Sequence, residues 1–106
     1  MAGLGKFLKQ AQKMQEQMTQ VQDALAKREV EGSSGGGAVK AVARCDGSLA
    51  RIKIDPKVID PKEAEMLEDL ILSAVQNALE TAKKTQSEEM SKVTAGMSLP
   101  PGLGGM

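Results

Sequence analysis

The chain contains no histidine, no tryptophan and no tyrosine, and Phe7 is its only aromatic residue. Without imidazole there is no His general base, no Ser-His or Cys-His nucleophile pair and no His metal ligand. Cys45 is the single cysteine, so no intrachain disulfide can form and no zinc ligand set can be assembled. A lone thiol with no base to activate it reads as a packing residue and fits a reducing compartment. The shortage of aromatics also removes the stacking platforms on which sequence-tolerant single-strand binders hold bases. Charge of one sign is lacking too: 14 Lys and Arg balance 14 Asp and Glu. Bulk charge therefore does not point to nucleic acid. No apolar run approaches the roughly 20 residues that span a bilayer. Residues 1–13 hold three lysines and no continuous apolar stretch of the signal-peptide kind. The expectation is a cytoplasmic protein with no membrane partner.

What is present is a strong helical period at each end. Leu4, Phe7, Ala11, Met14, Met18, Val21 and Leu25 follow alternating spacings of three and four, an a/d heptad seam. This predicts a helix over residues 3–26. Toward the other end, Leu67, Leu70, Ile71, Ala74, Val75, Ala78, Leu79 and Ala82 form a broad apolar stripe. Asp55-Pro56 and Asp60-Pro61 each read as an N-cap followed by Pro at the first helical position, with Glu63 completing a capping box. The first pair predicts a short turn. The second predicts the start of a long helix running through Met90 and Val93 to a stop at Gly96.

Between the helices, Asp46-Gly47 interrupts alternating segments and predicts a two-residue hairpin closed by Cys45 and Ser48. That register sets Ala43 opposite Ala50, Ala41 opposite Ile52 and Val39 opposite Ile54, an apolar face. Lys40, Val42 and Arg44 then lie opposite Lys53, Arg51 and Leu49 on a basic face. Residues 27–31 are expected to add a third strand through the turn Gly32–Gly37. The glycine run has the spacing of a phosphate loop, but Ala38 and Val39 stand where Lys and Ser or Thr must follow, and a strand comes next. A plain turn accounts for it. Glu63, Glu65, Glu68 and Asp69 crowd the first turns of the second helix, where its dipole favours them as a solvated face. No catalytic group, metal, cofactor or small-molecule substrate is expected, and the chain reads as a binding protein rather than an enzyme.

Charge is segregated although it sums to zero. Residues 1–28 carry five basic and two acidic residues; residues 61–106 carry four and seven. Lys6, Lys9, Lys13 and Lys27 fall on the side of the first helix away from its seam. Lys83 and Lys84 lie on the second helix, where the C-terminal dipole alone would favour cations. Lys40, Arg44, Arg51 and Lys53 form the hairpin's cationic face. Each group also has a plain reading as solvated surface. As binding surfaces, all suit contact with the phosphates of duplex nucleic acid. The first helix is the favoured surface, because it projects and the hairpin face is open to burial.

Several segments match, in order and at spacing, the bacterial YbaB/EbfC family of nucleoid-associated proteins. They are Gly35-Gly36-Gly37 before Val39-Lys40, Ile52-Lys53-Ile54-Asp55-Pro56, Met66-Leu67-Glu68-Asp69-Leu70-Ile71 with Ala74 and Asn77-Ala78, and the ending Gly96-Met97, Leu99-Pro100-Pro101-Gly102. The chain resembles that family over nearly its whole length. The resemblance implies an α+β protomer, with a long N-terminal helix, a three-stranded antiparallel sheet and a long C-terminal helix, assembled as a tweezer-like homodimer. It further implies binding of double-stranded DNA with low sequence selectivity, a nucleoid location, and a role in chromosome organisation or gene expression. The family's DNA contacts lie on the helices, which favours Lys6, Lys9 and Lys13, then Lys83 and Lys84. The expected organisation is one α-β-β-β-α domain over 1–96 and a flexible Gly/Pro/Met tail over 97–106. The alternative is a dimeric scaffold whose Met-rich helical surface grips another protein.

Overall fold

A computed structural model describes residues 2–96. Helix α1 spans Ala2–Lys27, and strands β1 (Glu29–Ser34), β2 (Val39–Arg44) and β3 (Leu49–Ile54) follow. Two short 3₁₀ turns, Pro56–Val58 and Pro61–Glu63, lead into helix α2, Ala64–Gly96. The strands form one antiparallel sheet in the order β1-β2-β3. The expected tail over 97–106 lies outside the described residues.

Asp55-Pro56 opens a short turn as the sequence suggests, whereas Asp60-Pro61, expected to start the long helix, opens a second 3₁₀ turn and α2 begins at Ala64. Asp55 Oδ1 accepts from the Lys57 N–H and Asp60 Oδ1 from the Lys62 N–H, both at 3.0 Å, with Pro at the first position of each turn. Helix α2 then crosses one face of the sheet. Ala74, Ala78 and Ala82, one turn apart, are fully buried against Val39, Ala41 and Ala43. Leu67, Leu70, Ile71, Val75 and Leu79 flank them, half-buried. The contact is close because both sides are small. At Gly32 in β1 an added Cβ would lie 2.2 Å from the Ala78 nitrogen and 2.6 Å from the Ala74 oxygen. Asn77 Nδ2 donates to the Ser33 oxygen at 3.0 Å, and Ser34 Oγ donates to the Leu70 oxygen, so the strand's end is bonded to the helix lying on it.

The glycine-rich segment differs from its sequence reading. Gly32, Ser33 and Ser34 belong to β1, and only Gly35–Gly37 turn, with φ of 60, 67 and 95°. Strand β1 thus starts at Glu29 and runs three residues further than expected, because the absence of a Cβ at Gly32 is what lets α2 sit on it. The hairpin register holds for Val39–Ile54, Lys40–Lys53, Ala41–Ile52 and Val42–Arg51, then shifts, placing Ala43 opposite Leu49 rather than Ala50. Arg44, not Cys45, closes the loop: its N–H donates to the Ser48 oxygen and its oxygen accepts from Gly47, whose φ is 97°. A three-residue loop ending in a left-handed glycine uses one residue more than a two-residue turn, which forces the bulge. Cys45 is fully buried and its N–H donates to the Arg28 oxygen.

Helix α1 packs through its C-terminal half alone. Leu25 is 3% exposed, and Met14, Met18 and Val21 are half-buried, whereas Leu4, Phe7 and Leu8 stay 60, 67 and 55% exposed. An Arg28–Glu89 ion pair at 3.4 Å ties the end of α1 to α2. Helices of 26 and 33 residues are about 39 and 50 Å long, while a six-residue strand spans about 20 Å. The helices therefore overrun the sheet, and the chain measures 73 × 26 × 16 Å. Its radius of gyration is 20.3 Å, against about 13 Å for a compact chain of this length.

Candidate nucleic-acid interface

The cations expected to bind fall on three separate surfaces. Lys6, Lys9 and Lys13 are exposed on the projecting half of α1. At 100° per residue they occupy a sector about 60° wide, on the side of the helix opposite Leu4, Phe7 and Ala11. No acidic residue precedes Glu16, so this stretch carries three positive charges with no counter-charge of its own. Lys27 is exposed in the last turn, where the helix dipole favours it. Lys83 and Lys84 are exposed on α2 beyond the alanine contact.

The hairpin face is less uniformly cationic than the sequence suggests. Strand β1 lies beside β2 with Glu29 opposite Arg44 and Glu31 opposite Val42, so both carboxylates join Lys40, Arg44, Arg51 and Lys53 on that face. Arg51 reaches across β2 to Glu29 in a two-pronged contact, Nη1 to Oε2 and Nη2 to Oε1, each 3.0 Å. The guanidinium's hydrogen bonds hold the Glu29 carboxyl below its ordinary value, and Glu29 raises Arg51 in turn. Only Arg44 of the four cations is half-buried; the others are exposed. Glu29 is not part of the hairpin pattern, because it reaches this face from the neighbouring strand β1. Its signal in the sequence is the alternation of Glu29 and Glu31 in a strand antiparallel to β2. Arg28, a further cation beside Lys27, is turned to the α1–α2 junction through its ion pair with Glu89.

Among the described residues no group of three or more His, Cys, Asp or Glu could hold a metal ion. A concavity of about 650 Å³ is lined by Gln12, Gln15, Glu16, Thr19 and Gln20 of α1, amides and a hydroxyl with one carboxylate. No helix among the described residues is long and apolar enough to cross a membrane.

A three-stranded sheet backed by one helix, with a second helix projecting and its lysines turned outward, defines a small α+β protein that carries its candidate cations on three separate surfaces. The chain belongs to the YbaB/EbfC DNA-binding family, which matches residues 1–97. It is similar to a nucleoid-associated protein of Akkermansia muciniphila, with 41% identity over 99 residues, covering 93% of this chain and 95% of the relative. Its fold is that of an uncharacterized protein from Helicobacter pylori seen in a crystal structure. There the TM-score is 0.60 at 20% identity, over 74% of this chain and 90% of the other.

Proposed function

We propose that the chain acts as a homodimeric nucleoid protein that binds duplex DNA through phosphate contacts, with little selectivity for sequence. The observation that carries this reading is the placement of Lys6, Lys9 and Lys13. They sit together on the half of α1 that extends past the sheet, away from its apolar side and free of nearby acids. Membership of a DNA-binding family supplies the partner. Lysine contacts to phosphate position a protein on DNA without reading bases, which is the source of the low selectivity. In this reading Lys83 and Lys84 of α2 add a second, weaker contact, and Lys27 a marginal one. The unit that binds is the α-β-β-β-α domain over 1–96. A relative named as nucleoid-associated supports the same location for this chain, and with it a role in chromosome organisation or expression.

The dimer is supported by apolar surface that one protomer leaves open. Leu49, Ile52, Ile59, Met66 and Leu72 are 41, 40, 54, 46 and 55% exposed. Helix α2 packs on β1 and β2 and leaves β3, with Leu49 and Ile52, at the open edge of the sheet, where a partner would cover them. A symmetric pair supplies one and presents two copies of α1 to a duplex, as in a tweezer. Of the Met residues that would favour a protein-gripping scaffold, Met14, Met18 and Met90 are half-buried and Met66 is 46% exposed.

The test is a salt titration of binding to several unrelated duplexes by fluorescence anisotropy. Similar affinities across duplexes, falling steeply with salt, are expected. Preference for one duplex that persists at high salt would identify a base reader instead.

A further inference from the structure

A second feature lies at the far end of the hairpin from the Arg51–Glu29 pair. Lys40 and Lys53 are directly opposite each other in the β2–β3 ladder, and both are exposed. Like charges in that position repel, and an opposite-charge partner would ordinarily be selected there. No ion pair engages either lysine among the described residues: the Glu29 carboxylate is taken by Arg51, and Glu31, opposite Val42 on the same face, makes no ion pair. The two lysines also border a concavity of about 270 Å³, completed by Gly37, Ala38, Ile54, Asp55 and Pro56. Gly37, at φ 95°, contributes backbone without a side chain, and the position its Cβ would take lies 3.8 Å from Lys40 Cε. Asp55 is the one carboxylate in the wall, and its Oδ1 already accepts from the Lys57 N–H at 3.0 Å.

We propose that this concavity binds a phosphate group between the Lys40 and Lys53 ammonium groups. Two cations set side by side in a recess form a site for an anion carrying several acceptor oxygens, and phosphate supplies the charge that relieves their repulsion. The volume lies just under the roughly 300 Å³ at which small-molecule pockets begin. It suits a phosphate with a small attachment rather than a whole dinucleotide. Ala38, Ile54 and Pro56 give that attachment an apolar wall. The phosphate comes either from the backbone of bound nucleic acid or from a free phosphorylated small molecule. The site is separate from the lysines of α1 and stands or falls independently of their role.

The experiment follows backbone amide resonances of the full chain while inorganic phosphate is added at constant ionic strength against potassium chloride. Saturable shifts at Gly37, Ala38, Lys40 and Lys53 are expected, weakened about tenfold or more in a Lys40→Gln, Lys53→Gln double variant. A Lys6→Gln, Lys9→Gln, Lys13→Gln variant should bind phosphate as the parent does, even if it loses DNA. No saturation beyond chloride, or unchanged saturation in the double variant with its spectrum otherwise intact, overturns the site. Two further titrations assign the source. Weaker duplex binding by the double variant identifies a backbone phosphate; saturation by glycerol 3-phosphate with duplex binding unchanged identifies a free one. A response to inorganic phosphate with neither effect marks an adventitious ion only and also overturns the proposal.

Discussion

Arg51 on β3 and Glu29 on β1 are joined by two parallel hydrogen bonds of 3.0 Å that bridge over the intervening strand β2. The pair pins the outer edges of the sheet to each other on the face away from α2. It also engages one expected DNA-contacting cation, Arg51, with a carboxylate of its own sheet. Both side chains are well exposed, at 61 and 38%, so its strength is limited by solvent screening.

The first prediction concerns acid. Glu29 is held below its ordinary value of 4.5 by the Arg51 hydrogen bonds, and Asp46 below 3.8 by those from Ser48. A carboxylate with a depressed folded-state pKa binds fewer protons folded than unfolded. Its contribution is complete above the unfolded value and is lost as pH falls through the folded one. Stability measured by urea unfolding should hold flat near neutrality and decline below about pH 4.5. The decline should be shallower in Glu29→Gln. An identical slope in the variant would show that the pair does not contribute.

Gly32 should tolerate no side chain. A Cβ there would collide with the backbone of Ala74 and Ala78, not with a movable side chain. Gly32→Ala should cost about 3 kcal/mol or more, the upper end for overpacking, read from chemical denaturation. Gly36→Ala is the control: space is open around it, and only its φ of 67° opposes the change. It should cost about 1 kcal/mol.

The lysines of α1 should carry DNA binding. Changing Lys6, Lys9 and Lys13 together to Glu should lower duplex affinity by more than about tenfold. It should also reduce the slope of log affinity against log salt by about 2–3 per protomer, one counterion per lost phosphate contact. The positions are exposed and off the apolar seam, so the folding cost should stay within about 1 kcal/mol. A triple variant that binds as the parent does would move the interface elsewhere.

The chain should be a dimer at micromolar concentration. Sedimentation velocity should give twice the chain mass, and Ile52→Asp should shift the equilibrium toward monomer. Ile52 is 40% exposed on the edge strand, so a charge there is solvated in a free protomer and buried in a pair. A well-folded monomer in the parent protein would remove the dimer from the reading.

Local patterning is enough for the elements that carry their own signal. The seam from Leu4 to Leu25 and the stripe from Leu67 to Ala82 mark both helices, and the Asp-Pro pairs mark the turns before α2, because capping and helical period are properties of a few neighbouring residues. Gly3 and Gly5 lie inside α1, so even there the seam outweighed poor helix formers. Pairing across the hairpin was legible as far as Val42 and Arg51.

Tertiary structure decided the rest. That Gly32 continues a strand rather than opening a turn depends on the backbone of α2, some 42–46 residues along the chain at Ala74 and Ala78, lying where a Cβ would be. That the basic hairpin face is partly neutralised depends on which strand lies beside β2, a non-local pairing that brings Glu29 within reach of Arg51. The apolar seam of α1 is one pattern along its length, yet Leu25 is buried and Phe7 is open. A helix's sequence records which side is apolar; only the position of α2 and the sheet determines how much of that side finds something to cover it.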